Sequence, residues 1–310
     1  MSEPVAAIDC GTNSTRLLVA DAGGCSVERL MRITRLGHGV DRTGELSPDA
    51  VARTVDVLRE YRVVMDRHGA RRVRVVATSA ARDAANREDF FAAATEVVGV
   101  RPELLSGEEE GRLAFAGATA ELDGTGAPYL VADIGGGSTE IVVGGSGGPE
   151  EVRTVVGAVS LDVGCVRVTE RWLTSDPPTD AELAAGREAV KALLDDVSRD
   201  LPATCRAATL VGLAGTVAAL AAVDQGVDTY DRDRVHHHVL ERTSVEAILA
   251  DLASLPAGLR PQRPGVEPAR AEVIVGGAVV LAALMEHFGF ESCLTSEADI
   301  LDGLVTTLLD

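Results

Sequence analysis

The sequence VADIGGGSTEIVVG, residues 131–144, decides how this chain folds. Three consecutive glycines separate two apolar runs of strand character. Because glycine weakens a strand interior, these glycines indicate a tight turn between two strands. A second stretch, IDCGTNSTRLLVA at residues 8–20, repeats the pattern. The shift that places Asp9 on Asp133 also aligns identical residues, namely Gly11 with Gly135, Ser14 with Ser138, Thr15 with Thr139 and Val19 with Val143.

Composition limits the fold and the partners. The chain has 310 residues, which is long for one core and predicts two lobes. Its formal net charge of −19 repels nucleic acid and anionic membranes, so we expect neither as a partner. We find no signal-peptide pattern and no run of about 18 apolar residues, which predicts a soluble protein of the cytoplasm. The five cysteines lack metal-like spacing, which fits reduced thiols.

The two halves have the same order of predicted elements. Each opens with a β-hairpin and continues with alternating strands and helices, which predicts an α/β fold of two lobes with a cleft between them. A Gly-rich polar segment at 122–128 predicts the boundary. Thr243 and Glu246 predict a capping box at the start of a helix over 244–254. The other main predictions are hairpins at 5–20 and 129–144, a strand near 151–158, and helices over 48–68, 161–173, 180–200 and 267–288.

The glycine turns predict phosphate binding. Backbone N–H groups in a tight glycine turn converge on one point and form a nest for phosphate oxygens, while the following Ser and Thr add hydroxyl donors. Asp9 and Asp133 precede the two turns, and Glu140 shares the face of its strand with the second turn. Mg²⁺ bridges such carboxylates to phosphate, so the pattern predicts a magnesium site. An ordinary hairpin turn is the alternative interpretation of one such stretch, and the repeat argues against it.

A third loop follows the predicted strand in LVGLAGTVAAL, residues 210–220. Gly215 makes the turn and Thr216 opens a helix, whose N-terminal N–H groups attract anions. A plain strand–helix turn is the alternative interpretation.

These loops, in this order, resemble the two-lobed actin, Hsp70 and sugar-kinase superfamily. Within it, the chain resembles the exopolyphosphatase/guanosine pentaphosphate phosphatase family, in its short two-domain form. The motifs that carry the resemblance are AIDCGTNSTRLLV, ATSAARDAAN, LLSGEEEGRLAF, VADIGGGSTEIVVG, SLDVGCVRVTE, GLAGT and EPARAEVIVGGA. The resemblance implies two RNase H-like lobes, at 1–124 (with a C-terminal helix at about 298–310) and 125–297, and a homodimer.

The resemblance also implies roles for individual residues. Glu110 matches the catalytic base of the family, although Glu108 and Glu109 beside it leave open which carboxylate faces the cleft. Asp133 and Glu140 match its other acidic site residues, with Asp9 as the corresponding metal ligand of the first lobe. The phosphate contacts that it implies, or that the loops predict, are Gly11, Thr12, Asn13, Ser14, Arg82, Gly135, Gly136, Gly137, Ser138, Gly215 and Thr216.

Local cations must offset the acidic surface if the substrate is a polyanion. We single out Arg35 and Arg82 among the arginines of the first half, and Arg270 after them. Three adjacent histidines, His236–His238, suggest a metal site. Adjacent side chains do not share one face of a regular element, so we interpret them instead as part of a polar loop.

The predicted function is Mg²⁺-dependent release of terminal orthophosphate from inorganic polyphosphate. The predicted mechanism is in-line attack by water, with a carboxylate as base. The nearest alternative is hydrolysis of the 5′-phosphate of pppGpp, with ATP as a further substrate. Aromatic residues are only 3% of the chain, which offers little for stacking a base and favours polyphosphate. A kinase would need a pocket for an acceptor hydroxyl, and a non-catalytic sensor would bind phosphate chains without turnover.

Overall fold

The computed structural model describes residues 3–145, 154–227 and 230–310. The chain divides into two units, one formed by Met1–Gly117 with Ile300–Asp310 and the other by Ala118–Asp299. The divisions predicted from sequence lie at 124/125 and 297/298. The first was drawn at the Gly-rich polar segment 122–128, whereas the unit boundary in the structure lies at 117/118. In the described part of the chain, no helix has both the length and the apolar character needed to cross a membrane.

The first unit is a five-stranded sheet with helices. The N-terminal part of this unit contains the strands and helices β1 (Val5–Cys10), β2 (Ser14–Ala20), β3 (Ser26–Ile33), α1 (Val40–Thr43), α2 (Pro48–His68), β4 (Arg72–Ala77), α3 (Ser79–Asp83), α4 (Arg87–Val98), β5 (Glu103–Leu104) and α5 (Gly107–Ala118). The strand order is β3-β2-β1-β4-β5. Strands β1, β2 and β3 are antiparallel, whereas β4 runs parallel to β1 and β5 parallel to β4.

The second unit is a six-stranded sheet with helices. Its elements are β6 (Tyr129–Ile134), β7 (Thr139–Gly144), β8 (Val155–Leu161), α6 (Cys165–Trp172), α7 (Asp180–Asp200), β9 (Thr209–Leu213), α8 (Ala214–Asp224), α9 (Arg232–Val235), β10 (Val239–Glu241), α10 (Arg242–Ala253), α11 (Ile274–Phe288) and β11 (Ser292–Thr295). Helix α12 (Ile300–Leu309) follows and belongs to the first unit. The strand order is β10-β11-β9-β6-β7-β8.

The two sheets share one topology. In each, a three-stranded antiparallel meander is followed by a strand that lies parallel beside the first strand of the meander. In each, a further parallel strand extends the sheet from there. The sequence repeat is therefore a repeat of structure, and the predicted α/β fold with one sheet in each half is confirmed.

Local sequence explains most of the element ends. Helix α2 begins after Ser47, whose hydroxyl accepts the N–H of Ala50, and it ends at Gly69, which has φ of 70°. Helix α11 is apolar on all sides and almost wholly buried, so it forms the centre of the core of the second unit. It was predicted to begin at 267, but Pro268 opens a separate 3₁₀ turn and the α-helix begins only at Ile274.

Two further predictions need correction. The capping box at Thr243 is wrong, because the chain enters α10 directly from β10 and Thr243 lies inside the helix. The capping box that does form, at the start of α7, joins Thr179 and Glu182. The strand predicted near 151–158 is β8 at 155–161, and residues 151–153 lie outside the described residues.

Helices α5 and α12 pack so closely that Gly303→Ala should destabilise the protein. A Cβ at position 303 would lie 2.2 Å from the carbonyl oxygen of Leu113. Helix propensity favours alanine, but overpacking against rigid backbone should cost about 1–3 kcal/mol and reverse that preference. Thermal or urea unfolding measures the change. Gly258→Ala is the control, because its new Cβ has no atom within 4 Å. An unfolding temperature that rises in Gly303→Ala would contradict the packing argument.

Candidate active site

The glycine turn between β6 and β7 is held by hydrogen bonds on both sides. The N–H of Gly135 donates to the carbonyl of Ser138 at 3.0 Å, which closes the turn. The carbonyls of Gly135 and Gly136 accept the first N–H groups of α6, those of Cys165 and Val166, both at 2.9 Å. With these carbonyls directed to α6, the turn can present its N–H groups to a ligand on its other side.

The turn between β1 and β2 repeats this arrangement. The N–H of Gly11 donates to the carbonyl of Ser14, again at 3.0 Å. The carbonyl of Thr12 accepts the N–H of Gly37 at 2.8 Å, and the carbonyl of Asn13 accepts the N–H of Arg35 at 2.9 Å. Each unit therefore has a turn of the same geometry, pinned through its carbonyls by a later segment of the same unit. The sequence predicted Arg35 as a cation, and the structure shows that its backbone also supports this turn.

Two carboxylates stand next to the second turn. Asp133 and Glu140 are directly opposite one another in the β6–β7 register. Their side chains therefore share one face of the sheet, with Cβ atoms about 4.5–5.5 Å apart. Both residues are buried, with 5% and 1% of their surface exposed. Glu140 accepts a hydrogen bond from the hydroxyl of Ser160 at 2.7 Å. Opposed carboxylates repel, and their oxygens are the donors that a hard divalent cation prefers.

The corresponding position of the first unit has the opposite charge. Asp9 lies opposite Arg16 in the β1–β2 register. Arg16 donates to Oδ2 of Asp9 from Nε at 3.0 Å and from Nη2 at 2.6 Å. Sequence reasoning proposed Asp9 as a metal ligand and missed this ion pair, although the two-residue alternation of the hairpin could have indicated it. One carboxylate oxygen of Asp9 is thus engaged by an arginine.

The three adjacent glutamates of α5 have three different environments. Glu108 is exposed and pairs with Arg112 at 2.7 Å. Glu109 accepts the N–H and hydroxyl of Ser106, which caps the helix and lowers the pKa of the Glu109 carboxyl. Glu110 is buried, and its Oε2 accepts a hydrogen bond from Nη1 of Arg82 at 2.6 Å.

Arg82 also donates to the carbonyl of Leu105 at 3.1 Å, so its guanidinium fixes the orientation of Glu110. Helix α3, which carries Arg82, follows β4, and β4 ends beside β1 and the first glycine turn. Gly37 confirms the proximity, because a Cβ there would lie 2.4 Å from Thr12 and 2.9 Å from Ala80. Arg82 and Glu110 therefore belong to the same edge of the first sheet as the turn.

The third loop adjoins the second turn. Strands β6 and β9 are parallel, and Leu213 at the end of β9 pairs with Asp133. Gly215 and Thr216 follow directly, so they lie at the same sheet edge as the glycine turn. A Cβ on Gly215 would lie 1.9 Å from Nη1 of Arg270. The guanidinium of Arg270 therefore covers this loop and is anchored by Glu267 at 2.8 Å. Arg270 was only the last of the arginines singled out from sequence, because its contact with Gly215 joins segments that are far apart in the chain.

The cysteines near the turns have a packing role. Burial, with Asp9 as a second cause, raises the pKa of the Cys10 thiol far above its ordinary value. Burial also raises the pKa of Cys165. Neither thiol is a thiolate near neutral pH, so these cysteines pack in the core and do not act as nucleophiles.

The predicted site residues fall into two groups, one in each unit. In the second unit, one sheet edge holds Asp133, Gly135, Gly136, Gly137, Ser138, Glu140, Gly215 and Thr216. In the first unit, one sheet edge holds Asp9, Gly11, Thr12, Asn13, Ser14, Arg82 and Glu110. Each group combines an anion-binding turn with carboxylates and an arginine.

Comparison with known proteins identifies relatives. The family model described as the Ppx/GppA phosphatase family matches residues 18–310. A protein of Mycobacterium tuberculosis named Exopolyphosphatase 2 is 43% identical over 320 aligned positions, which cover 98% of both chains. A crystal structure of an exopolyphosphatase-like protein is 37% identical with a TM-score of 0.92 and covers 98% of both chains. The Aquifex aeolicus Ppx/GppA family member is 32% identical with a TM-score of 0.79, covering 99% of this chain and 98% of the other.

The close support of the second turn by α6 predicts that Gly164→Ala impairs phosphate binding. A Cβ at position 164 would lie 2.6 Å from the carbonyl oxygen of Gly136 and 2.7 Å from that of Gly135. Because both contacts are backbone, the turn must move, and a displacement of about 1 Å costs about 100-fold in activity. The measurement is kcat/KM for phosphate release.

Gly186→Ala is the matched control. Its Cβ would make ordinary contacts, the nearest at 3.6 Å to Trp172, and it lies inside helix α7. It should keep full activity with equal or higher stability. Wild-type kcat/KM in Gly164→Ala would mean that the position of the turn is not set by α6.

Proposed function

Because the chain belongs to the Ppx/GppA phosphatase family, we propose that it is a phosphoanhydride hydrolase that releases terminal orthophosphate from inorganic polyphosphate. The observation that carries the proposal is the pair of buried, directly opposed carboxylates, Asp133 and Glu140, next to a glycine turn. Such a pair offers hard oxygen ligands to a divalent cation, and the glycine turn beside it offers N–H groups to a phosphate. The Mycobacterium tuberculosis relative, by its name, supports polyphosphate as the substrate class.

The family implies a divalent metal ion in general, and we propose Mg²⁺. The residues fit, because Asp133 and Glu140 offer hard oxygen donors on one face of a sheet. Mg²⁺ bound there would neutralise charge on the phosphate chain. Asp9 remains a predicted ligand, although Arg16 already neutralises it.

The chain itself performs the remaining steps. The N–H groups of the two glycine turns and the N-terminus of α8 bind phosphate oxygens. Glu110 orients a water molecule and accepts its proton as the oxygen of that water attacks the terminal phosphorus. The bond from that phosphorus to the bridging oxygen breaks, and the shortened polyphosphate leaves with the electron pair. Arg82 holds the carboxylate of Glu110 in position.

Arginines resolve the conflict between a polyanionic substrate and a chain of charge −19. Arg16 and Arg270 both lie next to phosphate-binding loops, and 15% to 17% of their side-chain surface is exposed. Held by Asp9 and Glu267, their guanidinium groups are fixed as hydrogen-bond donors beside the loops that we propose to bind phosphate. A homodimer and a cytoplasmic location stay predictions, which sedimentation and cell fractionation would test.

A side-by-side substrate assay tests the proposal. Purified protein with Mg²⁺ is given short polyphosphate, long polyphosphate, pppGpp and ATP at equal concentrations of terminal phosphate, and released orthophosphate is measured. We expect release from polyphosphate well above the other substrates. Glu110→Gln should lower kcat by about 10²–10⁴ with a similar KM, because only the proton transfer is lost. Glu108→Gln, the exposed neighbour, is the control and should retain activity.

Each other outcome changes a defined part of the proposal. Release only from pppGpp would transfer the function to guanosine pentaphosphate hydrolysis with the same chemistry. Saturable binding of polyphosphate without release would indicate a non-catalytic sensor. Full activity in Glu110→Gln would remove this residue from the role of base.

The opposed carboxylates predict a specific effect of Glu140→Gln. The Mg²⁺ concentration for half-maximal activity should rise about tenfold or more, as expected for loss of a residue at a metal site. The unfolding temperature without Mg²⁺ should not fall, because one of two repelling charges is removed and Ser160 can still donate to the amide oxygen. Glu188→Gln on the exposed side of α7 is the control. Unchanged Mg²⁺ dependence would exclude Glu140 from the metal site.

A further inference from the structure

Three side chains of the second unit converge apart from the groups used above. The ligand atoms of Glu121, His236 and His237 all lie within 4.8 Å of one another. In the described parts of the chain, no other trio of His, Cys, Asp or Glu residues is brought together in this way. The three histidines lie in a loop between α9 and β10, as predicted, but the expectation that adjacent side chains diverge is wrong for the first two. It holds for His238, which pairs instead with Asp224 at 2.8 Å.

The backbone at His237 explains how neighbouring residues come to face the same ligand. His237 has φ of 62°, a left-handed conformation that is uncommon for a residue other than glycine. Its N–H donates to the carbonyl of Thr295 at 2.7 Å, which fixes this conformation. The reversal stacks its ring on that of His236, with centroids 3.8 Å apart and planes 27° apart. Both imidazoles are therefore placed beside the Glu121 carboxylate.

We propose that Glu121, His236 and His237 bind a Zn²⁺ ion. Two imidazoles and one carboxylate are a ligand set that suits Zn²⁺ and not Mg²⁺, which prefers oxygen donors alone. Nε2 of His236 and Oε2 of Glu121 are 3.1 Å apart. Bonds of about 2.0–2.2 Å in tetrahedral geometry separate two ligand atoms by roughly 3.4 Å, which is close to the separation of this hydrogen-bonded pair. The ligand atom of His237 lies within 4.8 Å of both others, so His237 would be the third ligand and water would take the fourth position.

Zinc binding would replace the hydrogen bond between His236 and Glu297 by a bond between His236 and the metal. Its Nδ1 now accepts the backbone N–H of Glu297 at 3.0 Å, so the neutral ring carries its proton on Nε2, facing Glu121. A zinc ion on Nε2 moves this proton to Nδ1, where it meets the N–H of Glu297. That amide must then turn away, so zinc and the Glu297 hydrogen bond exclude one another.

This exchange occurs where the chain enters and leaves the second unit. Glu121 follows the start of the unit at Ala118, and Glu297 precedes its end at Asp299. His236 contacts both segments. Zinc would join His236 to Glu121 in the first segment and break the hydrogen bond of His236 with Glu297 in the second. Zinc binding can therefore be detected from the structure at Glu297, without a measurement of catalysis.

The experiment is calorimetric titration of the full chain, free of any histidine tag, with ZnCl₂. The buffer contains excess Mg²⁺, which would occupy the metal site proposed at Asp133 and Glu140, and we expect one Zn²⁺ per chain. His237→Gly should weaken binding about tenfold or more because it removes a ligand. It should leave the protein folded, because glycine adopts φ of 62° without strain. Glu121→Gln should weaken binding similarly. His238→Ala, which removes a histidine outside the trio, should bind zinc like the wild type.

Hydrogen–deuterium exchange supplies the second readout. Zn²⁺ should accelerate exchange of the Glu297 amide in the wild type and leave it unchanged in His237→Gly. Absence of saturable binding, equal affinity in His237→Gly and the wild type, or loss of binding in His238→Ala would each overturn the proposal. Binding that leaves the Glu297 amide protected would also overturn it, because the ion would then not be bound by Nε2 of His236.

Discussion

The β6–β7 register that places Asp133 opposite Glu140 is the constraint on which the candidate site of the second unit depends. Two buried carboxylates face each other only because the β6–β7 register is fixed, since a slip of one residue would send one of them to the other face of the sheet. The hydrogen bond from Gly135 to Ser138 sets that register. The glycines therefore have two functions, because they close the hairpin at one length and leave backbone N–H groups for an anion. Under the proposed function, the same few residues would hold the cation, through the two carboxylates, and the phosphate, through the N–H groups of the turn.

The first unit shows what the same topology becomes when one charge is reversed. Arg16 occupies the position that Glu140 has in the second unit, and Asp9 is neutralised within the protein. An internal ion pair needs no metal, whereas the opposed carboxylates of the other turn offer oxygen ligands to one. Under the proposed function, the repeat would supply two phosphate sites of similar backbone and different electrostatics.

Much of this architecture could be predicted from sequence because it is local. The hairpins, the end of α2 at Gly69 and the repeat itself depend on neighbouring residues or on a recurring pattern. The contacts of Glu108, Glu109 and Glu110 depend instead on the orientation of α5, and those of Arg270 with Gly215 on segments far apart in the chain. The false capping box at Thr243 has the same cause. Its residue spacing was correct, but the helix begins directly after β10, so Glu241 occupies the N-cap position and Thr243 lies inside the first turn.

His236 and His237 show a different limit of sequence reasoning. The rule that adjacent side chains diverge assumes a helix or a strand, and it fails where the backbone takes a left-handed conformation. Nothing in the letters HHH indicates that conformation at the middle position. A hydrogen bond from the N–H of His237 to the carbonyl of Thr295, at the end of β11, fixes it. A strained residue persists only where surrounding contacts fix it, and the cost is offset when the conformation brings chemical groups together. The convergence of two imidazoles and a carboxylate at such a residue is the geometry from which we infer a ligand.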